Sequence, residues 1–295
     1  MRVATVNLLS GRSLADGRAD PAVLADAVRR LDADVLALQE VDRHQPRSGG
    51  ADQVAVAAAA MGAVAVRFVP LVRGTPGEPG WQPTPPDPDE GEPTYGIALL
   101  SRRPVRSWRV LRLGRARGRY PVLLPTSPPR VIWIPDEPRA AVVAELEEPR
   151  LTVAATHLSF VPGMNVLQLR RLSRALAELP GPRVLMGDLN LPGRLPSRVT
   201  GWGPLVTGPT FPAPAPRLQI DHVLAAGLAP GALGDVEVVH LDLSDHRALV
   251  VDLETAALSR PQPRPVGDVT ADVRGDVRGD VTGDVRGDVT GEPAA

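Results

Sequence analysis

The chain has 295 residues, of which 43% are hydrophobic, so it can bury a substantial core as one large domain or two smaller ones. It has no cysteine, which excludes disulfides and thiolate metal sites, and its net charge of −1 gives no overall reason to bind nucleic acid. No signal-peptide pattern precedes the first strand and no apolar run approaches about 18 residues, so we expect a cytoplasmic protein without a transmembrane segment.

Apolar periodicity predicts alternating strands and helices as far as residue 253. Asp20 followed by Pro21 is a typical helix start, and Gly62 is expected to end an Ala-rich helix that begins at Asp52. A third helix is predicted over residues 165–179, and the apolar face predicted for it comprises Leu167, Leu172, Leu176 and Leu179. The predicted strands cover residues 2–8, 35–38, 63–71, 95–101, 105–113, 139–146, 151–157, 183–186, 218–224, 235–240 and 248–253.

Three stretches lack this periodicity and are predicted to be irregular. Residues 73–93 and 114–138 are rich in Pro and are expected to be long loops that set specificity, and residues 191–216 form the third stretch. An apolar run at residues 131–134 is expected to be a strand or a plug in the core. Residues 257–295, with Gly-Asp-Val-Thr/Arg repeats, have too few apolar residues for a core and are predicted to be a disordered tail after a folded domain of residues 1–256.

Polar side chains stand where apolar strands end at six places: Asn7, Glu40, His157, Asp188 with Asn190, Asp221 with His222, and Asp245 with His246. Taken singly, each has an ordinary structural explanation, such as a helix cap for Glu40 or a satisfied core histidine for His157. Because carboxylates and imidazoles at strand ends are costly unless they converge, the set predicts one shared site. His44 and His240 lack this context and are expected to be structural.

Seven short motifs contain these residues: VATVN, LQEVD, GIALLSR, THL, GDLN, IDH and SDH, which begin at residues 3, 38, 96, 156, 187, 220 and 244. Together and in this order they resemble the endonuclease/exonuclease/phosphatase superfamily, which includes DNase I and neutral sphingomyelinases. The resemblance covers about residues 1–254. It implies an α/β fold, a four-layer sandwich of two largely antiparallel sheets packed face to face with helices outside.

The resemblance also implies hydrolysis of a phosphoester with Mg²⁺ as cofactor, Mn²⁺ being possible. Glu40 is expected to be the principal metal ligand, and Asn7 and Asp245 are expected to line the same oxygen-rich site.

Roles for the other strand-end residues follow from the same resemblance. His246, supported by Asp221, would activate or orient the attacking water, because a carboxylate fixes the imidazole tautomer and stabilises its charged form. Asp188 would position that water. Asn190 and His157 would bind the substrate and stabilise charge on the phosphoryl oxygens.

Several functions stay open. We expect a monomeric phosphodiesterase more than a monoesterase. The Gln-Glu-Val-Asp motif at residues 39–42 argues against abasic-site repair, and Tyr95 is given no catalytic part. The arginine-rich stretch at residues 102–119 is either a solvated face or the phosphate-facing surface of a DNA or RNA nuclease. A catalytically inactive binding member of the family is the remaining alternative.

Overall fold

The computed structural model describes residues 1–76, 78, 80–85, 88–89, 91–124 and 130–258. The predicted disordered tail lies outside these residues from position 259 onward, so its disorder stays a prediction. A short helix, Thr255–Leu258, crosses the predicted end of the folded domain at residue 256, and the side chain of Leu258 is buried.

Strands dominate the described part of the chain. In chain order they are β1 (Arg2–Asn7), β2 (Val35–Arg43), β3 (Ala65–Arg73), β4 (Gln82–Pro83), β5 (Thr94–Ser101), β6 (Val105–Gly114), β7 (Arg119–Leu124), β8 (Arg130–Pro135), β9 (Arg139–Leu146), β10 (Thr152–His157), β11 (Arg183–Asp188), β12 (Gly203–Pro204), β13 (Asp221–Ala226), β14 (Leu233–Val239) and β15 (Ala248–Leu253). The α-helices are α1 (Pro21–Leu31), α2 (Gln53–Met61), α3 (Met164–Ala177), α4 (Leu195–Thr200) and α5 (Thr255–Leu258).

Two large sheets contain most of these strands. The first has the order β14-β15-β1-β2-β5-β3-β4, and the second has the order β12-β13-β11-β10-β9-β6. Each sheet contains one parallel pair, β1 with β2 and β10 with β11, and all other pairs are antiparallel. The expectation of two largely antiparallel sheets is therefore confirmed.

Buried side chains fall into three groups that separate four layers. The central group fills the space between the sheets and includes Val35 from the first and Met186 from the second. Helices α1 and α2 pack on the outer face of the first sheet through residues such as Leu24 and Val54. Helix α3 covers the outer face of the second sheet, where Leu172 is fully buried. The architecture is the predicted four-layer α/β sandwich.

The helix ends follow the predicted signals, whereas one helix face differs. The Asp20 carboxylate accepts a hydrogen bond from the backbone N–H of Ala22, and Gly62 ends α2 in a left-handed conformation at φ +69°. In α3 the prediction for Leu167 was wrong, since this side chain is 42% exposed and Leu169 is buried in its place.

The three stretches predicted to be irregular contain regular structure. Strands β7 and β8 form a separate two-stranded ribbon within residues 114–138, β4 pairs with β3 within residues 73–93, and α4 and β12 lie within residues 191–216. Prolines are tolerated in the ribbon because both of its strands are edges. Val131 and Trp133 of β8 are each 58% exposed, so the apolar run is a strand and not a core plug. Among the described residues, no helix has the length and apolar character required to cross a membrane.

Candidate active site

The residues predicted to form the site lie at one edge of the sandwich because of the strand directions. The parallel pairs end at Asn7 in the first sheet and at His157 and Asp188 in the second. β13 is antiparallel to β11, so its first residue, Asp221, lies opposite Asp188. His246 precedes β15, which is antiparallel to β1. The prediction that Asp221 follows the end of a strand was wrong, but antiparallel pairing brings it to the same edge.

The two-residue period of a strand decides which of these side chains face the space between the sheets. Met186 packs there, so Asp188, two residues later in β11, has the same orientation. Asp221 shares a face with Val223 in β13. His222 points to the opposite face, where its Nε2 contacts a backbone carbonyl oxygen at 2.8 Å. Only the first residue of the Asp-His pair at 221–222 therefore belongs to the site.

A β-bulge brings Glu40 to the site. Leu36 and Leu38 pack in the outer helix layer, and strict alternation would send Glu40 there as well. The pairing register between β2 and β5 shifts between Leu38 and Val41, and Glu40 takes a left-handed conformation at φ +54°. β2 continues through the bulge to Arg43, so the prediction that the strand ends at residue 38 was wrong.

Gly187 allows β10 and β11 to approach closely next to Asp188. Its φ is +143°, and a Cβ atom added there would lie 1.9 Å from the carbonyl oxygen of Thr156. No other residue type fits this position without moving a strand. The glycine of the GDLN motif thus sets the position of the aspartate that follows it.

Asn7 joins the two sheets at the site. Its Nδ2 donates to Glu40 Oε1 at 3.0 Å and to Asp188 Oδ2 at 3.1 Å. Its Oδ1 accepts from the backbone N–H of Leu9 at 3.1 Å, which fixes the amide orientation. Glu40 is partly exposed whereas Asp188 is buried. The Asn7 amide therefore links a solvent-accessible carboxylate to a buried one.

His246 and Asp221 form a buried dyad across the two sheets. His246 Nδ1 donates to Asp221 Oδ2 at 2.9 Å, and Nε2 lies 3.9 Å from both Asp188 Oδ2 and Asp245 Oδ1. The Ser244 hydroxyl donates to the Asn7 carbonyl oxygen at 2.5 Å and accepts from the His246 N–H at 3.0 Å. This serine holds the loop before β15 against the end of β1.

The pKa values of His246 and of two neighbouring carboxylates, Asp188 and Asp245, are all raised. Burial by itself favours the neutral imidazole, but the charge and hydrogen bond of Asp221, with the charges of Asp188 and Asp245, raise the pKa of His246 to about 10. Burial and the charge of Asp221 raise the pKa of Asp188 to about 7. Burial also raises the pKa of Asp245. Without a bound cation, His246 is therefore the charged imidazole of the site at neutral pH.

The pKa of His157 shifts in the opposite direction. Burial, followed by the charges of Arg139 and His246, lowers its pKa well below the usual value, so the ring is neutral. Its Nε2 lies 3.5 Å from Asp188 Oδ2 and accepts from Asn190 Nδ2 at 3.3 Å. Asn190 Nδ2 also donates to the Leu158 carbonyl oxygen at 3.0 Å. The bond to the Leu158 carbonyl oxygen is therefore the shorter of the two contacts made by this amide nitrogen.

Two buried amides on α3 support these residues and were missed at the sequence level. Asn165 Nδ2 donates to the Asn190 carbonyl oxygen at 2.9 Å, and Gln168 Oε1 accepts from the Ser159 N–H at 2.8 Å. Both are buried, and one turn of helix separates them. The available signal was the pair of amides at i and i+3 on the face that carries Leu169 and Leu172.

The donor set at this edge fits a divalent cation. Three carboxyl groups, those of Asp188, Asp221 and Asp245, surround His246, and that of Glu40 lies near Asp245. Asp221 Oδ1 is buried without a hydrogen-bond partner among the described residues. Carboxylate and amide oxygens are the ligands that Mg²⁺ and Mn²⁺ prefer. Unpaired negative charge in a buried cleft is unfavourable unless a cation offsets it.

Two subsets of these residues could hold the cation. Ligand atoms of Asp188, Asp221 and His246 lie within 4.8 Å of one another. The other subset is the expected group of Glu40, Asn7 and Asp245. Asp221 Oδ2 and His246 Nδ1 already bond to each other, whereas the carboxylates of the second group are partly exposed.

A model of the endonuclease/exonuclease/phosphatase family matches residues 4–246. The chain belongs to this family. The resemblance found in the sequence motifs is therefore confirmed. A search of the curated proteins gave no match.

Solved structures of the family share the fold. A family protein from Beutenbergia cavernae has 24% identity and a TM-score of 0.60, over 86% of this chain and 71% of that one. One from Bacteroides vulgatus has 16% identity and a TM-score of 0.60, over 86% and 98%. The mannosyl-6-phosphatase of Bacteroides thetaiotaomicron has 13% identity and a TM-score of 0.56, over 86% and 99%.

Proposed function

We propose that this family member is a phosphohydrolase that depends on a divalent cation, Mg²⁺ or alternatively Mn²⁺, and cleaves a phosphodiester. The observation that carries the proposal is the dyad of Asp221 and His246, whose Nε2 faces Asp188 beside the oxygen-rich group of Glu40, Asn7 and Asp245. A base held by a carboxylate next to hard oxygen ligands suits hydrolysis of an anionic ester by water.

Asn7 was expected to be a ligand, but it directs its Nδ2 at Glu40 and its Oδ1 at the Leu9 N–H, so it would orient the Glu40 carboxylate and not bind the metal. Glu40 and Asp245 would hold the cation. When bound, it supplies the positive charge that an anionic ester requires before a nucleophile can approach. The side chain of Asp245 is 30% exposed, whereas that of Asp221 is fully buried. The group therefore meets solvent, as a site that must admit a substrate requires.

His246 would exchange a proton with the attacking water at Nε2, because its Nδ1 proton is committed to Asp221. Asp188 would orient that water. After Asp221, the charges of Asp188 and Asp245 favour the charged imidazole, so offsetting their negative charge would lower the pKa of His246 and favour its neutral, proton-accepting form.

Asn190 and neutral His157 would bind the phosphoryl oxygens. Their nitrogens lie 3.3 Å apart next to Asp188, so both reach the same part of the cleft. The Asn190 amide is a neutral donor, and His157 becomes one when its ring proton lies on Nε2 and not on Nδ1. Neutral donors stabilise developing negative charge without competing with the cation for the carboxylates.

Three of the eight arginines in the stretch at residues 102–119 are paired with acids, which weakens the support that this stretch gives to a nuclease. Arg102 bonds Asp32 at 2.7 Å, Arg103 pairs with Asp34 at 3.1 Å, and Arg109 pairs with Glu145 at 3.4 Å. Charges engaged within the protein are less available to phosphates. We therefore keep the phosphodiesterase assignment and treat nucleic acid as one diester among several.

Hydrolysis of bis(p-nitrophenyl) phosphate, with p-nitrophenyl phosphate as the monoester comparison, tests the proposal. Activity is expected with Mg²⁺ or Mn²⁺ and should disappear with a chelator. Glu40→Ala, Asp188→Ala and His246→Ala are each expected to lose at least about a hundredfold in kcat, because each removes a group that acts in the transition state.

The exposed His240 provides the matched control, and His240→Ala should retain wild-type turnover. Circular dichroism checks that each variant is folded. Wild-type turnover in all three site variants would refute the proposal, and full activity in the chelator would refute its dependence on a cation.

A further inference from the structure

Gln53, the first residue of α2, is a buried amide that joins the segments following Asn7 and Glu40. It is 3% exposed and lies in a helix whose other residues are all Ala, Val or Met. Its Oε1 accepts from the backbone N–H of Asp42 at 2.9 Å, and its Nε2 donates to the Ser10 carbonyl oxygen at 2.6 Å. Burying an amide is costly unless its polar groups are bonded, and here both the acceptor and a donor are used.

The Asp42 end of this bridge lies where β2 has lost one of its neighbouring strands. β1 pairs with β2 only as far as Asn7, whereas β2 continues to Arg43. Backbone groups on that side of β2 need partners from elsewhere, because a buried N–H left unpaired is unfavourable. Gln53 bonds to the N–H of fully buried Asp42, two residues after the bulge residue Glu40. It thus serves as the partner that β1 no longer provides.

The Ser10 end of the bridge holds the turn that leads away from β1. Leu9–Gly11 form a 3₁₀ turn, in which Ser10 is buried and has a left-handed φ of +58°. A non-glycine residue rarely adopts that conformation unless its surroundings hold it there. Gly11 leaves room for the amide, because a Cβ atom added at this position would lie 2.6 Å from Gln53 Nε2. The Gln53 side chain therefore helps to fix the path of the chain after β1.

Both ends of the bridge affect the same pair of side chains in the cleft. The Leu9 N–H in the turn donates to Asn7 Oδ1 at 3.1 Å, and Asn7 Nδ2 donates to Glu40 Oε1 at 3.0 Å. A shift of the turn would therefore rotate the Asn7 amide, and a shift of Asp42 would move the bulge that carries Glu40. Gln53 bonds to both of the segments on which this pair depends.

Gln45 forms the same kind of bridge away from the site. It is fully buried, its Nε2 donates to the Gly74 carbonyl oxygen at 2.7 Å, and its Oε1 accepts from the Thr75 hydroxyl at 3.0 Å. Neither of its partners belongs to the cleft or precedes a residue that does. Loss of this amide should therefore affect stability alone, which makes Gln45 a matched control for Gln53.

We propose that Gln53 is a positioning residue for the cation site, which holds the Asn7 amide and the Glu40 carboxylate in the geometry that binds the cation. The inference rests on the proposed function, because it concerns the cation expected at Glu40. Loss of a group that orients a metal ligand without touching the ion commonly weakens binding by about tenfold to a hundredfold. Gln53 exerts this effect from the helix layer on the outer face of the first sheet.

Calorimetric titration of Mg²⁺ into the metal-free protein tests this role without relying on hydrolysis. Gln53→Met keeps the approximate shape of the side chain but removes its donor and acceptor, and it should weaken Mg²⁺ binding by about tenfold. Gly11→Ala, which crowds the Gln53 amide, should weaken binding as well. Gln45→Met should lower the melting temperature and leave the Mg²⁺ affinity unchanged.

The NMR signal of the Asn7 side-chain amide in the metal-free protein provides a second readout. It should shift in Gln53→Met and stay in place in Gln45→Met, because only Gln53 bonds to the turn that fixes this amide. If Gln53→Met does not fold, Gly11→Ala decides by the same two measurements.

The outcomes separate this inference from the proposed function. If Glu40→Gln weakens Mg²⁺ binding but Gln53→Met lowers only the melting temperature, Gln53 is structural and the inference fails alone. If Glu40→Gln leaves the Mg²⁺ affinity unchanged, the cation does not bind at Glu40 and the proposed site fails. The Asn7 signal then still decides the positioning role, since a shift in Gln53→Met supports it and an unchanged signal overturns it.

Discussion

The two sheets have the same arrangement of strands beside the cleft, but the side chains at the ends of those strands differ. In the first sheet an antiparallel strand flanks the parallel pair in the order β15-β1-β2, and in the second the order is β13-β11-β10. The first carries Glu40 and Asp245, which are partly exposed. The second carries Asp188, Asp221 and His157, which are buried.

This difference in exposure supports different proposed roles for the two similarly arranged sheets. Carboxylates that solvent reaches can exchange water for a cation, whereas buried groups that bond to one another are fixed in tautomer and orientation. We therefore propose that the first sheet binds the cation, and that the second binds phosphoryl oxygens and, through Asp221, controls the proton on His246. Asn7 and His246 cross between them, through hydrogen bonds to Asp188 and Asp221.

The largest effect is expected from Asp221→Asn, which removes the buried charge of the dyad and keeps its shape. We expect kcat to fall by about 10²- to 10⁴-fold, because the amide no longer fixes the His246 tautomer. Removing a negative charge also disfavours the imidazolium. In the metal-free protein, NMR titration should therefore place the pKa of His246 below its wild-type value of about 10.

Asp252→Asn is the matched control for this change. It disrupts a partly exposed pair in which Arg2 Nη2 lies 2.8 Å from the carboxylate, and it should leave kcat and the His246 titration unchanged. If Asp221→Asn keeps the wild-type kcat, the second sheet does not control the proton on His246.

A smaller effect is expected from Asn165→Ala, which removes the support of Asn190 from α3. Loss of its 2.9 Å bond to the Asn190 carbonyl oxygen should lower kcat by about tenfold, because a misplaced contact weakens transition-state binding. If Asn165 acts through Asn190, the double variant with Asn190→Ala should be hardly worse than Asn190→Ala alone.

Gln45→Ala provides the comparison for loss of a buried amide. Gln45 Nε2 donates to the Gly74 carbonyl oxygen at 2.7 Å, so its loss should affect stability and not the kcat of the Asn190 variant. Independent, multiplicative losses in the Asn165 and Asn190 double variant would show that Asn165 has only a structural role.

Much of the fold and of the site membership could be predicted from local patterns. β15 was predicted with its exact bounds, and the caps of α1 and α2 follow from Asp20 and Gly62. Asp188 and His157 end apolar runs, so alternation alone gives their orientation. These features depend on residues that are close together in the chain, so local sequence patterns are sufficient to predict them.

The remaining features depend on residues distant in the chain. The bulge that brings Glu40 to the cleft arises from pairing between β2 and β5, and no residue type in Gln-Glu-Val-Asp requires it. The supporting role of Asn165 depends on its contact with Asn190, which lies just after β11. Strands β7 and β8 contain prolines that usually mark loops, and only their mutual pairing makes them a ribbon.

Calorimetric titration of Mg²⁺ into two variants is the most direct test of the proposal that the first sheet, and not the second, binds the cation. Glu40→Gln should weaken Mg²⁺ binding by more than about tenfold, because it removes a charged ligand, whereas Asp221→Asn should change the affinity only slightly. If Asp221→Asn abolished binding and Glu40→Gln did not, the cation would lie among Asp188, Asp221 and His246, and the assignment of tasks to the two sheets would be wrong.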